Sequence, residues 1–153
     1  MPTWLMKSEP SEYSIDDLER DKCSSWFGVR NYLARNYMRD QMQVGDTVLF
    51  YHSSCKDVGI AGIGKVASLA HPDESQFEVG KYHEPRATRE KPVWYCVDIA
   101  FEEKLPSILS IATLRSTPWL ETMKILEKGN RLSITPVTDE EYAIIRMLID
   151  TLE

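Results

Sequence analysis

A chain of 153 residues, 42% hydrophobic and 27% charged, has the length and composition of one globular domain with a substantial core. It contains no run of about 18 apolar residues, which argues against a membrane-spanning helix, and its net charge of −6 argues against coating nucleic acid by charge alone. The cysteines at 23, 55 and 96 are odd in number and far apart, as unsuited to a disulfide framework or a C-x-x-C metal site as the three scattered histidines.

In chain order, Trp4–Ser8 reads as a first strand, stopped by Pro10. No basic-then-apolar leader precedes it, which predicts a cytoplasmic protein, or a nuclear one if eukaryotic. Ser14-Ile-Asp-Asp17 has capping-box spacing and opens a short helix to about Asp21. Trp26–Asn31 reads as a structured loop running into a helix over about Arg30–Asp40, with Leu33 and Tyr37 sharing its buried face. Val44-Gly45-Asp46 is a turn, and Thr47–Tyr51 a buried strand. Val58–Ala67 is another strand. Its glycines at 59, 62 and 64 lack the strand-then-helix setting of a dinucleotide fingerprint and mark bends or bulges instead.

The polar interval from His71 to Pro92 is long for a simple connection and is expected to be functional or mobile. Val93–Phe101 is rich in β-formers. Ile108–Leu114 and Trp119–Leu126 read as short helices, and Leu132–Ile134 as a short strand ended by Pro136. Thr138-Asp-Glu-Glu141 is a second capping box. It opens a C-terminal helix whose apolar side carries Tyr142, Ile145, Leu148, Ile149 and Leu152. About five strands and several helices, out of strict β-α-β alternation, predict an α+β fold: a small curved sheet or partly closed barrel with helices outside.

Two stretches carry side chains suited to a flat polar ring: Trp4–Pro10 and Trp26–Tyr32. Each sets an aromatic close to a cation, a hydrogen-bonding side chain and a chain-turning residue. A loop tryptophan such as Trp26 is presented to partners more readily than a strand tryptophan such as Trp4. Asn31 offers both donor and acceptor to a base edge, or it caps the helix that follows. Ser8 and Ser53 are small hydroxyls at strand ends. His52 beside Ser53 has no evident acid partner. Arg20, Lys22, Arg30, Arg35 and Arg39 make residues 20–39 locally basic, which fits a short phosphate contact or a solvated helix face. No nucleophile elbow is present, and Cys55 lacks a helix terminus to activate it.

These residues resemble a known family. Trp4-x-Met6-Lys7-Ser8-Glu9-Pro10, Trp26-x-Gly28-Val29-Arg30-Asn31-Tyr32-x-Ala34-Arg35-Asn36-x-Met38-Arg39, Gly45-Asp46 followed by Phe50-Tyr51-His52-Ser53, and Arg131-Leu132-Ser133 are similar to the EVE domain over essentially the whole chain. The likeness is to its single-domain form, as in the thymocyte nuclear protein 1 family and its bacterial relatives. The resemblance implies a single PUA-like domain, a small mixed β pseudo-barrel surrounded by short helices, related to the YTH domains that read methylated adenine in RNA.

It also implies a non-enzymatic module that recognises a modified base in DNA or RNA and needs no cofactor. In that reading Trp26 stacks on the base. Ser8, Asn31 and the backbone of Gly28 and Val29 meet its edge. Trp4, His52, Ser53 and Trp94 line or support the pocket, and Lys7, Arg30, Arg35 and Arg131 meet phosphates or brace the loops. Two alternatives stay open. One is a small amidohydrolase acting on modified nucleosides, as among ASCH-type PUA-like relatives, with Lys7 and Glu9 in catalytic roles. The other is a protein-interaction domain.

Overall fold

The structure, a computed structural model, describes residues 2–153. Six strands form one mixed sheet, and their order across it is β2 (Cys23–Ser25), β7 (Asp98–Ser110), β4 (Gly59–Val66), β3 (Thr47–His52), β1 (Thr3–Ser8), β8 (Ile134–Val137). β1 and β3 run parallel and every other pair is antiparallel. The sheet is an open, curled half-barrel, because β2 and β8 stay at its edges. Register shifts between β4 and β7 fall at Ile60/Gly62 and Ile63/Gly64. The glycines there admit close neighbours: a Cβ on Gly62 would lie 2.5 Å from Ile15 Cγ1 and 2.7 Å from the Glu103 carbonyl oxygen. A second ladder of two residues joins β5 (His71–Pro72) to β6 (Tyr95–Cys96).

Alternation along the strands sends side chains to two cores. Trp4, Met6, Val48 and Phe50 pack on one face with Ile15 and Leu18 of α1 (Ile15–Asp21) and Ala34 of α2 (Tyr32–Asn36). Leu5, Leu49, Tyr51 and Ile63 pack on the other with Leu114 of α3 (Ile111–Ser116) and Ile145 and Ile149 of α4 (Asp139–Ile149). Both capping boxes form as the sequence predicts, Ser14 with Asp17 and Thr138 with Glu141. Among the described residues no helix is long and apolar enough to cross a membrane.

Several local expectations are corrected. The helix after Trp26 starts at Tyr32, because Asn31 is its N-cap, and its last turn is π-helical over Tyr37–Gln41. Its buried face carries Ala34 and Met38; Leu33, one residue out of phase, is exposed. β7 runs to Ser110, through the stretch read in part as helix, and α3 begins only where Ser110 Oγ accepts from Thr113 N. Of the helix expected at 119–126, only a 3-10 turn at Lys124–Leu126 forms, and Trp119 sits exposed in a left-handed conformation. β8 includes Pro136 instead of ending before it. On an edge strand the missing N–H leaves no ladder bond unmade.

Candidate functional site

The parallel pairing of β1 and β3 brings Ser8 beside His52, and Ser53 N donates to Ser8 O at 3.0 Å. Just beyond, Glu12 N and Tyr13 N both donate to Glu9 O, folding the chain back before α1. Ser8 Oγ donates to Tyr13 O at 2.6 Å, which leaves its oxygen free as an acceptor. Opposite this strand end, β2 pairs with β7, and Trp26 N extends that attachment to Val97 O at 2.9 Å. The Trp26 ring rests half-buried, edge-on to Phe50 with centroids 5.3 Å apart.

A cavity of ≈ 450 Å³ opens between these two segments, a volume in the range of small-molecule pockets. Of the residues proposed from sequence, Lys7, Ser8, Trp26, Gly28, Val29, Arg30, Asn31, Ser53 and Arg131 line it. Trp4, His52 and Trp94 do not; all three are buried elsewhere. Trp4 Nε1 donates to Asp46 Oδ2 at 3.0 Å. His52 Nε2 accepts from Ile15 N at 3.1 Å, which fixes the start of α1, and burial holds its pKa below the ordinary value. Trp94 Nε1 donates to Glu84 Oε1 at 3.0 Å, and its ring stacks on Tyr32 with centroids 4.9 Å apart.

The loop that presents Trp26 is fixed by a residue from far along the chain. Asp73, 1% exposed, accepts at Oδ2 from Gly28 N at 2.8 Å and Arg30 Nη1 at 3.1 Å, and at Oδ1 from Ser75 N at 2.9 Å. Arg30 Nη2 continues to Tyr82 O at 2.7 Å and Ser75 Oγ at 3.1 Å. Arg30 is therefore a loop brace. So is Arg35, whose Nη1 donates to Val93 O at 2.9 Å while its guanidinium lies over the Tyr32 ring. Gly28 adopts φ +86°, and a Cβ there would sit 2.9 Å from the Tyr82 ring. Only glycine allows both. Asn31 Oδ1 accepts from Ala34 N at 3.1 Å as the helix cap, which leaves its amide N–H groups as the available donors.

From the interval between His71 and Pro92, Lys81 and Tyr82 reach the cavity. Lys81 Nζ donates to Glu12 Oε1 at 2.8 Å across the cavity, and this cation holds the Glu12 carboxyl below its ordinary pKa. Tyr82 is braced edge-on by Phe27, 5.9 Å between centroids. Among the described residues Lys7 and Arg131 have no ion-pair or side-chain hydrogen-bond partner. Burial lowers the Lys7 pKa from its ordinary value. The cavity thus combines an aromatic wall, hydroxyl acceptors, amide donors and two uncommitted cations. That set can hold a planar polar ring and the anion attached to it.

The EVE domain family matches residues 2–148. The chain belongs to that family. Human thymocyte nuclear protein 1 is 38% identical over 95% of this chain and 72% of its own length. The EVE domain here also superposes on a protein from Pseudomonas syringae with TM-score 0.92 and 46% identity, covering 96% of this chain and 99% of that one. With the human THYN1 protein, solved in complex with DNA containing 5-methylcytosine, the TM-score is 0.90 at 36% identity over all of both chains. A YTH domain from Zygosaccharomyces rouxii, solved with N6-methyladenosine RNA, shares the fold at TM-score 0.58 and 10% identity, covering 99% of this chain and 88% of that one.

Proposed function

We propose that this EVE domain is a non-enzymatic reader of a modified base in DNA or RNA, with the base held in the cavity beside Trp26. The observation that carries the reading is the meeting of a half-buried indole with two uncommitted cations, Lys7 and Arg131, around one cavity with room for a base. The human relative bound to 5-methylcytosine DNA supports it and makes 5-methylcytosine the first probe.

Trp26 supplies the stacking face, worth roughly 1–3 kcal/mol per base. The Ser8 oxygen accepts from the base edge, the Asn31 amide donates to it, and the Gly28–Val29 backbone and Ser53 border it. Lys7 and Arg131 meet the flanking phosphates. A buried methyl adds about 0.8 kcal/mol, so discrimination against the unmodified base also needs shape and hydrogen-bond penalties. From duplex DNA the base is first flipped out. Such a reader belongs where nucleic acid is: the cytoplasm, or the nucleus if eukaryotic.

Fluorescence anisotropy with single-stranded oligonucleotides, one 5-methylcytosine against one cytosine, tests the reading. Trp26→Ala is expected to weaken binding by about 5- to 150-fold, the equivalent of one lost stack. Unchanged affinity and preference in a folded variant would remove Trp26 from the site.

One observation favours a second reading, a nucleoside amidohydrolase. Lys7 and Glu9, two apart at a strand end and so on one face, both border the cavity, and burial lowers the Lys7 pKa from its ordinary value. Release of product from acetylated or methylated nucleosides, abolished by Lys7→Ala, would establish it.

A further inference from the structure

A second cavity of ≈ 230 Å³ adjoins the first, and Ser25 and Phe27 belong to the walls of both. Phe27 is 55% exposed and stands between them, braced on one side by a T-shaped contact with Tyr82. The two cavities differ in charge. The first is lined by Lys7, Arg30, Lys81 and Arg131 against Glu9 and Glu12. The second has Glu74 and Glu78 and neither lysine nor arginine.

The second cavity also has its side-chain donors already committed. Ser25 Oγ donates to Asp98 Oδ1 at 2.6 Å, and Ser75 Oγ donates to Asp73 Oδ1 at 2.5 Å. The His71 ring nitrogens face Asp98 Oδ1 at 2.8 Å and Pro72 O at 3.2 Å. Glu74 is held by Arg89, whereas the Glu78 carboxylate has no partner among the described residues. A site with an aromatic wall and hydrogen-bond acceptors, but few donors to offer, suits a flat ligand that brings its own N–H groups.

We propose that this second cavity takes the nucleobase adjacent to the modified one and favours neighbours that carry an exocyclic amine. The proposal rests on the base-reader function above. The shared Phe27 wall puts the two bases side by side. The absence of lysine and arginine from the second lining keeps the phosphates on the side of Lys7 and Arg131. Glu78 accepts from the amine of cytosine, adenine or guanine, whereas the C4 carbonyl of uracil sets an acceptor against a carboxylate.

The test uses single-stranded DNA with one 5-methylcytosine and a varied neighbour on either side. Cytosine is compared with uracil and adenine with hypoxanthine, pairs that exchange the amine for a carbonyl at nearly constant size. The amine neighbour is expected to bind about tenfold more tightly on one side, the worth of one hydrogen bond to a charged acceptor. Glu78→Gln, at an exposed position outside the first cavity, is expected to bring that ratio close to one. A flat neighbour series with the preference for 5-methylcytosine over cytosine intact overturns the second subsite alone. Flat results in both series overturn both readings. A flat series together with capture of an arginine-rich peptide that Glu78→Gln abolishes gives the cavity to a basic protein chain and also overturns the proposal.

Discussion

Asp73→Ala should be the most damaging single change outside the two hydrophobic cores. The carboxylate is 1% exposed and accepts from Gly28 N, Arg30 Nη1 and both donors of Ser75. Its removal strands a backbone N–H and leaves the Arg30 side chain, 24% exposed, without its anion. Breaking a buried ion pair from one side costs about 3–5 kcal/mol. Arg30 keeps Val29 O, Tyr82 O and some solvent, so the low end applies, about 3 kcal/mol. For a domain of this size that is a fall in Tm of roughly 6–12 °C. Urea denaturation of the variant measures it directly, and Asp73→Asn, which keeps one acceptor oxygen, should fall between. A loss below about 1 kcal/mol would refute the view that this carboxylate fixes the Trp26 loop.

Other consequences follow from the same contacts. Gly28→Ala forces a left-handed backbone and a methyl against the Tyr82 ring, so it should cost about 1–2 kcal/mol and weaken oligonucleotide binding; an unchanged melting curve would contradict the geometry. Glu12→Ala frees Lys81 for phosphate, so stopped-flow association should speed up and depend more steeply on salt; a slower rate would show that the Lys81–Glu12 bridge organises the cavity instead of closing it. Glu84 is held down at about 2 by its hydrogen bonds with Arg86 and then Trp94, from an ordinary 4.5. A depressed folded pKa means that this stability is present above 4.5 and lost as pH falls toward 2. Glu84→Gln should therefore flatten the urea midpoint across that window, and a midpoint that falls as steeply as in the unsubstituted chain would show that Glu84 does not carry the acid sensitivity.

What the sequence revealed follows the range over which each signal acts. Ser14/Asp17 and Thr138/Glu141 are contacts three residues apart, written in the chain and formed in the structure. The side chains of Trp26 and Lys7 were legible as pocket residues because each sits in a dense local motif. β2 was not legible: Cys23-Ser24-Ser25 has little β-propensity and is a strand only because β7, over seventy residues away, supplies its ladder. The same distance hid Asp73, whose role depends on meeting Gly28 and Arg30 across more than forty residues. The length of the 71–92 interval was a signal for the segment from which Lys81 and Tyr82 reach the cavity. Arg30 and Arg35 read as phosphate contacts or braces with equal ease, and only their acceptors, Asp73, Tyr82 O and Val93 O, distinguish the two.

The chain has four tryptophans, each with an indole N–H that nuclear magnetic resonance can follow. Trp4 and Trp94 are bonded to Asp46 and Glu84, Trp119 is exposed away from the cavity, and Trp26 lines it. Titration with 5-methyldeoxycytidine monophosphate should move the Trp26 indole resonance saturably while leaving that of Trp119 in place. A saturable shift confined to Trp119, or an unmoved Trp26 resonance under a bound oligonucleotide, would contradict base recognition at this cavity.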